Sequence, residues 1–322
     1  MISRRLLRIK ALLIFYAFNR KRGDNLEAAE KELFYSIEKT YDLYHYLILL
    51  ILDVADMASE RIEMGRHKKI PTQEDINPNT RFIDNRLIAQ LGENLDLGRY
   101  IKSRKLSWIN YPEIARKMYS KMIEWGEYEK YMNAESATYN ADKKFVSSLL
   151  TGIIFRSEEI ENVIEEISIY WNDDLEFVTA MIEKTMRHFK EDSGPDQSLM
   201  PMYKNDDDER FVKVLLRKAI LNSESNCNLI EKNATNWEIE RIALMDKLVM
   251  QLAITEILEF PEIPVKVTLN EYIEIAKYYC TAKSGTFVNG ILDKIVREMR
   301  TDSMFRKSGR GLIGEPGFEE IK

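Results

Sequence analysis

The fold is decided by the stretch Trp237–Met299, which reads WEIERIALMDKLVMQLAITEILEFPEIPVKVTLNEYIEIAKYYCTAKSGTFVNGILDKIVREM. Apolar residues recur at helical spacing through most of it. Pro261 and Pro264 interrupt the first helical pattern, because proline cannot donate to a continuing helix. The turn 281–284 interrupts the pattern a second time. The stretch therefore predicts three consecutive helices against which the upstream chain must pack.

Three polar residues mark where these helices begin. Thr235 and Glu238 have capping-box spacing, and so do Thr268 and Glu271,. Ser284 is a suitable cap for the last helix. Inside that helix, Gly290 costs about 1 kcal/mol relative to alanine. We therefore expect a close approach of two helices at Gly290 to compensate.

Composition indicates a soluble, mostly helical protein. Of the 322 residues, 45% are hydrophobic and 31% charged, with only 13 glycines and 8 prolines,. Two cysteines in helical surroundings give neither a disulfide framework nor metal-ligand spacing, which fits a reducing cytoplasm. There is no signal-peptide pattern, because the apolar run 11–18 is short and no small-residue cleavage site follows it,. The apolar run 46–52 is too short to span a membrane,. The net charge of −6 leaves room only for a local nucleic-acid site,.

The N-terminal helix is the one concentrated basic segment. Ser3 can cap it, and residues 2–22 contain no acid. Arg4, Arg5 and Arg8 on an exposed helical face are suited to phosphate contacts, where counterion release supplies affinity. A solvated basic face without a ligand is the alternative.

The C-terminal segments resemble the NusB family of transcription antitermination factors. The resemblance rests on three stretches, Val265–Glu271, Ile275–Lys277 and Lys283–Asp293, in one order and nearly without gaps. It implies an all-α fold of two small helical bundles. It also implies binding of boxA-type single-stranded RNA together with NusE, a small-subunit ribosomal protein, within an RNA polymerase antitermination complex that supports ribosomal RNA transcription.

The resemblance implies roles for nine residues. Arg4, Arg5 and Arg8 match the arginine-rich RNA-binding segment, although Leu6 stands where an arginine is common. RNA contacts are also implied for Lys283, Ser284, Phe287 and Asn289, with Lys283 replacing a frequent acidic residue. The positions of Tyr16 and Asp246 face the partner NusE. Both could instead be structural, Tyr16 as a packing aromatic and Asp246 as a solvated charge.

The remaining chain is long for this family. We expect a NusB-like core of residues 1–22 and 205–300, a helical insertion of residues 23–204, and a flexible tail of residues 301–322. Residues 142–190 match the chain 66 residues later without a gap, with Phe145, Leu149 and Trp171 falling on Phe211, Leu215 and Trp237. We interpret this match as a duplicated helical hairpin.

No pattern indicates catalysis, so we expect a protein that is not an enzyme and needs no cofactor or metal. The chain has no glycine-rich phosphate loop and no Cys-x-x-Cys or His-Glu-x-x-His motif,. The alternative to RNA binding is a non-catalytic helical interaction scaffold with weak or lost RNA binding. The two hypotheses differ in salt dependence, because only phosphate binding weakens steeply with salt.

Overall fold

The protein is all-α, as predicted. A computed structural model describes residues 1–21, 25–234 and 242–314, and no β-strand occurs in these ranges. In chain order the helices are α1 (Arg4–Arg20), α2 (Leu26–Arg66), α3 (Gln73–Ile76), α4 (Arg86–Gly92), α5 (Leu95–Arg104), α6 (Pro112–Ile123), α7 (Gly126–Met132), α8 (Tyr139–Leu149), α9 (Glu158–Ile167), α10 (Leu175–His188), α11 (Asp206–Leu221), α12 (Ser223–Asn233), α13 (Leu244–Glu259), α14 (Val265–Tyr279) and α15 (Ser284–Thr301). Within the described residues, no helix is both long enough and apolar enough to cross a membrane.

The chain divides into two compact units. Unit 1 contains Met1–Ile2 and Glu38–Met202, and unit 2 contains Ser3–Ile37 and the chain from Tyr203 onward. The boundary on the N-terminal side falls within α2. The predicted limits of core and insertion stay predictions.

Unit 2 is built around α13. This helix is apolar on all sides, and its residues from Leu248 to Ile257 are all buried. A helix without a polar face has to be surrounded by others, and α1, α11, α12, α14 and α15 all pack against it. The predicted cap at Thr235 lies outside the described residues.

Three predicted details of unit 2 are wrong. Ser284 is the first residue of α15 and not its cap. The helix α14 begins at Val265, directly after Pro264, and not at the Thr268 capping box. Thr268 is instead buried within α14, where its hydroxyl donates to Glu256 over 2.8 Å. A side chain added at Gly290 would meet nothing within 4 Å, so this glycine does not mark a close helix approach. The close approach occurs at Gly285.

Part of the predicted flexible tail is packed in unit 2. Lys307 is buried, and its ammonium donates to the carbonyls of Ile257 and Phe260 at the end of α13, both at 3.0 Å. Ser308 donates its backbone N–H to the Pro261 carbonyl. The buried Lys307 satisfies carbonyls that are left free at the end of a helix. Residues 302–314 are therefore not the flexible tail that was predicted for them. Residues 315–322 lie outside the described ranges.

Unit 1 is formed by the larger part of α2 with α3 to α10. Pro112 stands at the first position of α6, where a helix has no use for the missing N–H,. The helix α5 continues through Gly98 to Arg104. Asn85 and Asn94 cap α4 and α5 with their side chains. Hydrophobic spacing alone would predict one continuous helix over this segment. The two caps divide it into separate helices.

The two halves of the 66-residue match have similar surroundings. Both form a pair of helices, α8 with α9 in unit 1 and α11 with α12 in unit 2. Asp142 and Asp208 occupy equivalent positions, and both are buried. Each accepts a hydrogen bond from the Nε of an arginine that begins a capped helix, Arg86 at 2.9 Å and Arg4 at 2.8 Å. These parallels support the duplication, which stays a prediction; Trp237 lies outside the described residues.

Candidate nucleic-acid interface

The first turn of α1 presents two arginines at the surface of unit 2. The Ser3 hydroxyl accepts from the Leu6 N–H at 3.2 Å and caps the helix as predicted,. Arg5 has an exposed side chain, and its guanidinium makes two hydrogen bonds to Glu271 of α14, at 2.8 and 2.9 Å. These hydrogen bonds raise the pKa of Arg5 and lower that of Glu271. Arg4 is about one-third exposed.

Arg4 is more constrained than Arg5. Its Nε donates to the buried carboxylate of Asp208, and its guanidinium lies 5.1 Å from the ring centre of Phe211. Both contacts fix α1 against α11. Arg5 therefore has the more accessible charge of the two.

The predicted exposed position of Arg8 is wrong. Arg8 is 3% exposed, and its guanidinium makes two hydrogen bonds to the fully buried Glu256, at 2.7 and 2.8 Å. Burial lowers the pKa of Arg8, but the hydrogen bonds to Glu256 together with the negative charges of Glu256 and Glu271 outweigh this effect and raise the pKa above its usual value. Thr268 and Tyr272 also donate to Glu256. A phosphate could reach Arg8 only by opening the core, so Arg8 is a structural residue.

The start of α15 contributes a second group of predicted residues. Lys283 is exposed and directly precedes the helix, Phe287 is half-buried, and Asn289 is exposed. The predicted RNA contact of Ser284 does not fit its position, since Ser284 is 2% exposed. Its hydroxyl lies 2.9 Å from that of Thr281 and donates to Asp246 at 3.1 Å. Ser284 therefore anchors the turn that leads into α15.

The two residues predicted to face a protein partner differ in accessibility. Tyr16 on α1 is half-buried. Asp246 is 7% exposed and accepts the hydrogen bond from Ser284. Both predicted roles of Asp246, a partner contact and a solvated charge, are therefore wrong. Burial and the neighbouring Asp246 raise the pKa of the Cys280 thiol. Asp246 consequently belongs to the internal polar contacts of α13 with the turn before α15.

The acidic partners of the arginines were missed in the sequence. Glu256 and Glu271 are separated from Arg8 and Arg5 by more than 240 residues. The one available signal was the place of Glu256 between Ile254 and Ile257 in a helix without a polar face, because a carboxylate buried there needs a cation nearby,.

The charges are distributed unequally between the two units. Acidic residues clearly outnumber basic ones in unit 1, whereas basic residues slightly outnumber acidic ones in unit 2. A polyanion is therefore better accommodated by unit 2. No group of three or more potential metal ligands occurs among the described residues.

Comparisons with known proteins point to one family. The model of the NusB family matches residues 179–297. Over 121 residues the chain is 42% identical to the transcription antitermination protein NusB of Salinibacter ruber (strain DSM 13855 / M31). The aligned region covers 38% of this chain and 76% of that protein. Over 110 residues it is 44% identical to the protein of the same name from Chloroherpeton thalassium (strain ATCC 35110 / GB-78), covering 34% of this chain and 52% of the relative.

A solved structure of T. maritima NusB is also similar in sequence. It is 28% identical, and the match covers 43% of this chain and 85% of that one, with a TM-score of 0.29. The range matched by the family model contains α13, α14 and most of α15 but not α1.

Proposed function

The chain belongs to the NusB family of transcription antitermination proteins, and we propose that it binds boxA-type single-stranded RNA through unit 2. The observation that carries this proposal is the exposed Arg5 on α1, packed against the same helix, α14, that leads to Lys283 and Phe287 at the start of α15. These residues supply cations for phosphates and an aromatic face for a base.

The proposed roles follow from accessibility. Arg5 contacts phosphate directly, and Arg4 adds positive charge while it holds α1 against α11. Lys283 lies at the N-terminus of an 18-residue helix, where the helix dipole also favours an anion,. Phe287 stacks on an unpaired base, and Asn289 offers hydrogen bonds to base edges. Phosphate contacts position the RNA, while Phe287 and Asn289 read it.

The proposed partner is NusE, bound on the side of α1 that carries the half-buried Tyr16. The RNA complex with NusE then joins RNA polymerase in the cytoplasm and supports transcription of ribosomal RNA operons. Unit 1 adds to this assembly a part of the chain in which acidic residues outnumber basic ones.

A direct test is the binding of a fluorescently labelled boxA-type RNA across a salt series, with and without purified NusE. The variants are Arg4→Ala/Arg5→Ala and, as a matched control, Lys294→Ala/Arg297→Ala, which removes two exposed cations from α15. Each lost phosphate contact reduces the slope of log K against log salt by about 0.7 for single-stranded RNA. We expect the first variant to lose at least about 0.7 of slope, for the phosphate contact of Arg5, and the control to keep the wild-type slope.

The scaffold hypothesis predicts a different outcome. Interaction through apolar helix faces is nearly independent of salt. Under this hypothesis the protein binds no RNA even at low salt, with or without NusE, but forms a complex with NusE that does not depend on salt. These two results together would establish a scaffold and overturn RNA recognition.

A further inference from the structure

Unit 1 contains a small cavity that opens at its surface between α7, α8 and the segment before α4. Its volume is about 160 Å³. Phe145 and Tyr131 line it, and their rings stack with centres 4.2 Å apart. The small side chains of Ala134 and Ala141 complete its apolar lining. A cavity of this volume has room for one ring of the size of benzene.

Cations outnumber carboxylates around this cavity. Arg81, Lys130 and Lys144 line it together with one acidic residue, Glu127. Glu127 accepts a hydrogen bond from the Lys130 ammonium at 2.6 Å, which leaves Arg81 and Lys144 as a local excess of positive charge. Acidic residues predominate in unit 1 as a whole, but charges more than about 8–10 Å away are largely screened at physiological salt,. The cavity is therefore suited to a small anion, although unit 1 as a whole is not suited to a polyanion.

Arg81 is held in place without a carboxylate. Its guanidinium donates to the carbonyls of Ala134 and Ser136, at 2.5 and 2.6 Å, and lies 4.8 Å from the ring centre of Tyr131. Its Nε is buried and has no acceptor among the residues that the structure describes. Arg81 is half-buried, and no carboxylate in the described ranges forms an ion pair with it. A partly buried cation whose charge is not neutralised favours the binding of an anion beside it.

Two further polar groups at the cavity can contact a ligand. Lys144 is exposed and Ser148 is half-buried. Within the described part of the chain, neither the Lys144 ammonium nor the Ser148 hydroxyl has a hydrogen-bond partner. The two residues are four positions apart on α8, so their side chains lie on the same face of the helix. Both can therefore hydrogen-bond to a single molecule in the cavity.

We propose that this cavity binds a planar six-membered ring that carries a phosphate monoester, the chemistry of a pyrimidine nucleoside monophosphate such as UMP. The ring lies against Phe145, and the Ser148 hydroxyl hydrogen-bonds to its edge. The phosphate lies between Arg81 and Lys144. A phosphate monoester carries a charge of about −1.5 to −2 at pH 7, which matches two cations better than a single carboxylate does. The site does not depend on the RNA binding proposed for unit 2.

The experiment is isothermal titration calorimetry of the full-length protein with UMP, uridine and inorganic phosphate at low salt. Lys144→Gln removes the exposed charge at the cavity, and Ala141→Leu fills the cavity without changing any charge. Lys102→Gln is the matched control, because Lys102 is an exposed lysine of unit 1 that does not line the cavity. Circular dichroism melting verifies that each variant is folded.

We expect the wild type to bind UMP at least about tenfold more tightly than uridine or phosphate, because hydrogen bonds to charged groups are the strong ones. Lys144→Gln should weaken UMP about tenfold and leave the weaker binding of uridine unchanged. Ala141→Leu should abolish the binding of both, and the control should behave like the wild type. UMP that does not bind, that binds no more tightly than uridine, or that still binds to Ala141→Leu overturns the proposal.

Two sources supply this chemistry, a free nucleotide and the 5′ end of an RNA. A triuridylate with a 5′-phosphate distinguishes them in the same titration. Binding tighter than that of UMP, and lost in Ala141→Leu, assigns the cavity to an RNA end, whereas binding no tighter than that of UMP assigns it to the free nucleotide. Loss of boxA-type RNA binding in Arg4→Ala/Arg5→Ala tests the proposed function separately, because both of these residues belong to unit 2.

Discussion

Arg8 and Glu256 form a two-pronged ion pair inside unit 2, with Nε–Oε2 and Nη2–Oε1 distances of 2.7 and 2.8 Å. Their side chains are 4% and 0% exposed. Thr268 and Tyr272 complete the hydrogen bonding of the carboxylate. The pair joins α1 to α13 and α14, so it holds the first turn of α1 in place from the buried side of the helix.

Removing the cation of this pair should destabilise unit 2 strongly. Arg8→Met leaves the Glu256 carboxylate buried without its cation, which costs about 3–5 kcal/mol. Chemical denaturation followed by circular dichroism measures the loss. The double variant Arg8→Met/Glu256→Gln should recover most of it, because no buried charge then remains unpaired and the amide oxygen can still accept from Thr268 and Tyr272. A single variant as stable as the wild type would contradict the structural role given to Arg8.

Gly290 offers a simple gain in stability. It lies within α15, where Gly290→Ala adds a methyl group to open space and should stabilise the protein by about 1 kcal/mol through helix propensity,. Thermal melting of the two proteins tests this expectation. Gly285→Ala is the contrasting variant, because its methyl group would press on Lys277, and it should gain clearly less. Equal gains at both sites would show that the close approach at Gly285 is unimportant.

The packed part of the C-terminal segment depends on Gly311. A Cβ at this residue would lie 1.9 Å from the Pro261 carbonyl oxygen, an impossible distance, so Gly311→Ala must displace the chain. We expect residues 302–314 to detach and trypsin to cleave faster after Arg306 and Arg310. Gly290→Ala adds the same methyl group elsewhere and should leave cleavage unchanged. Unaltered cleavage in Gly311→Ala would contradict the packing of Lys307 and its neighbours.

The stability of unit 1 should depend on the charge of His45. His45 stacks on Tyr100 with ring centres 3.7 Å apart, and its Nδ1 donates to the Tyr41 carbonyl. Burial lowers its pKa to about 4 from a usual value of 6.5. The unfolded chain therefore binds a proton that the folded one does not, between pH 6.5 and 4, and folding is weakened as the pH falls through this window.

Lowering the pH from 7 to 5 should decrease the free energy of unfolding by about 2 kcal/mol through His45 alone. The measurement is denaturation followed by tryptophan fluorescence, since Trp108, Trp125 and Trp171 all lie in unit 1. His45→Gln is neutral at both pH values and keeps a donor for Tyr41, so its loss of stability should be smaller than that of the wild type by this amount. The exposed His67→Asn serves as the control and should behave like the wild type. Identical losses in His45→Gln and the wild type would contradict the burial effect.

Local features of the chain were predictable because they depend on neighbouring residues. Ser3 caps α1 and Pro112 begins α6, and both follow from the backbone donors left free in the first turn of a helix,. The apolar character of α13 on all sides likewise predicts a central helix. The all-α class and the membership of the NusB family rest on the same local patterns.

The amino-acid sequence by itself determined the all-α class, the start of α1 at Ser3 and which stretches are apolar enough to form buried helix faces. Only the tertiary structure decided which polar residues remain accessible. Helical spacing places Arg5 and Arg8 within one turn, yet Arg5 is at the surface while Arg8 is enclosed by Glu256, a residue 248 positions away. Ser284 and Asp246 are likewise buried, and the hydroxyl of Ser284 donates a hydrogen bond to Asp246. The physical reason is that a charge can be buried wherever folding brings an opposite charge or a donor to it, and that partner is set by packing between distant segments.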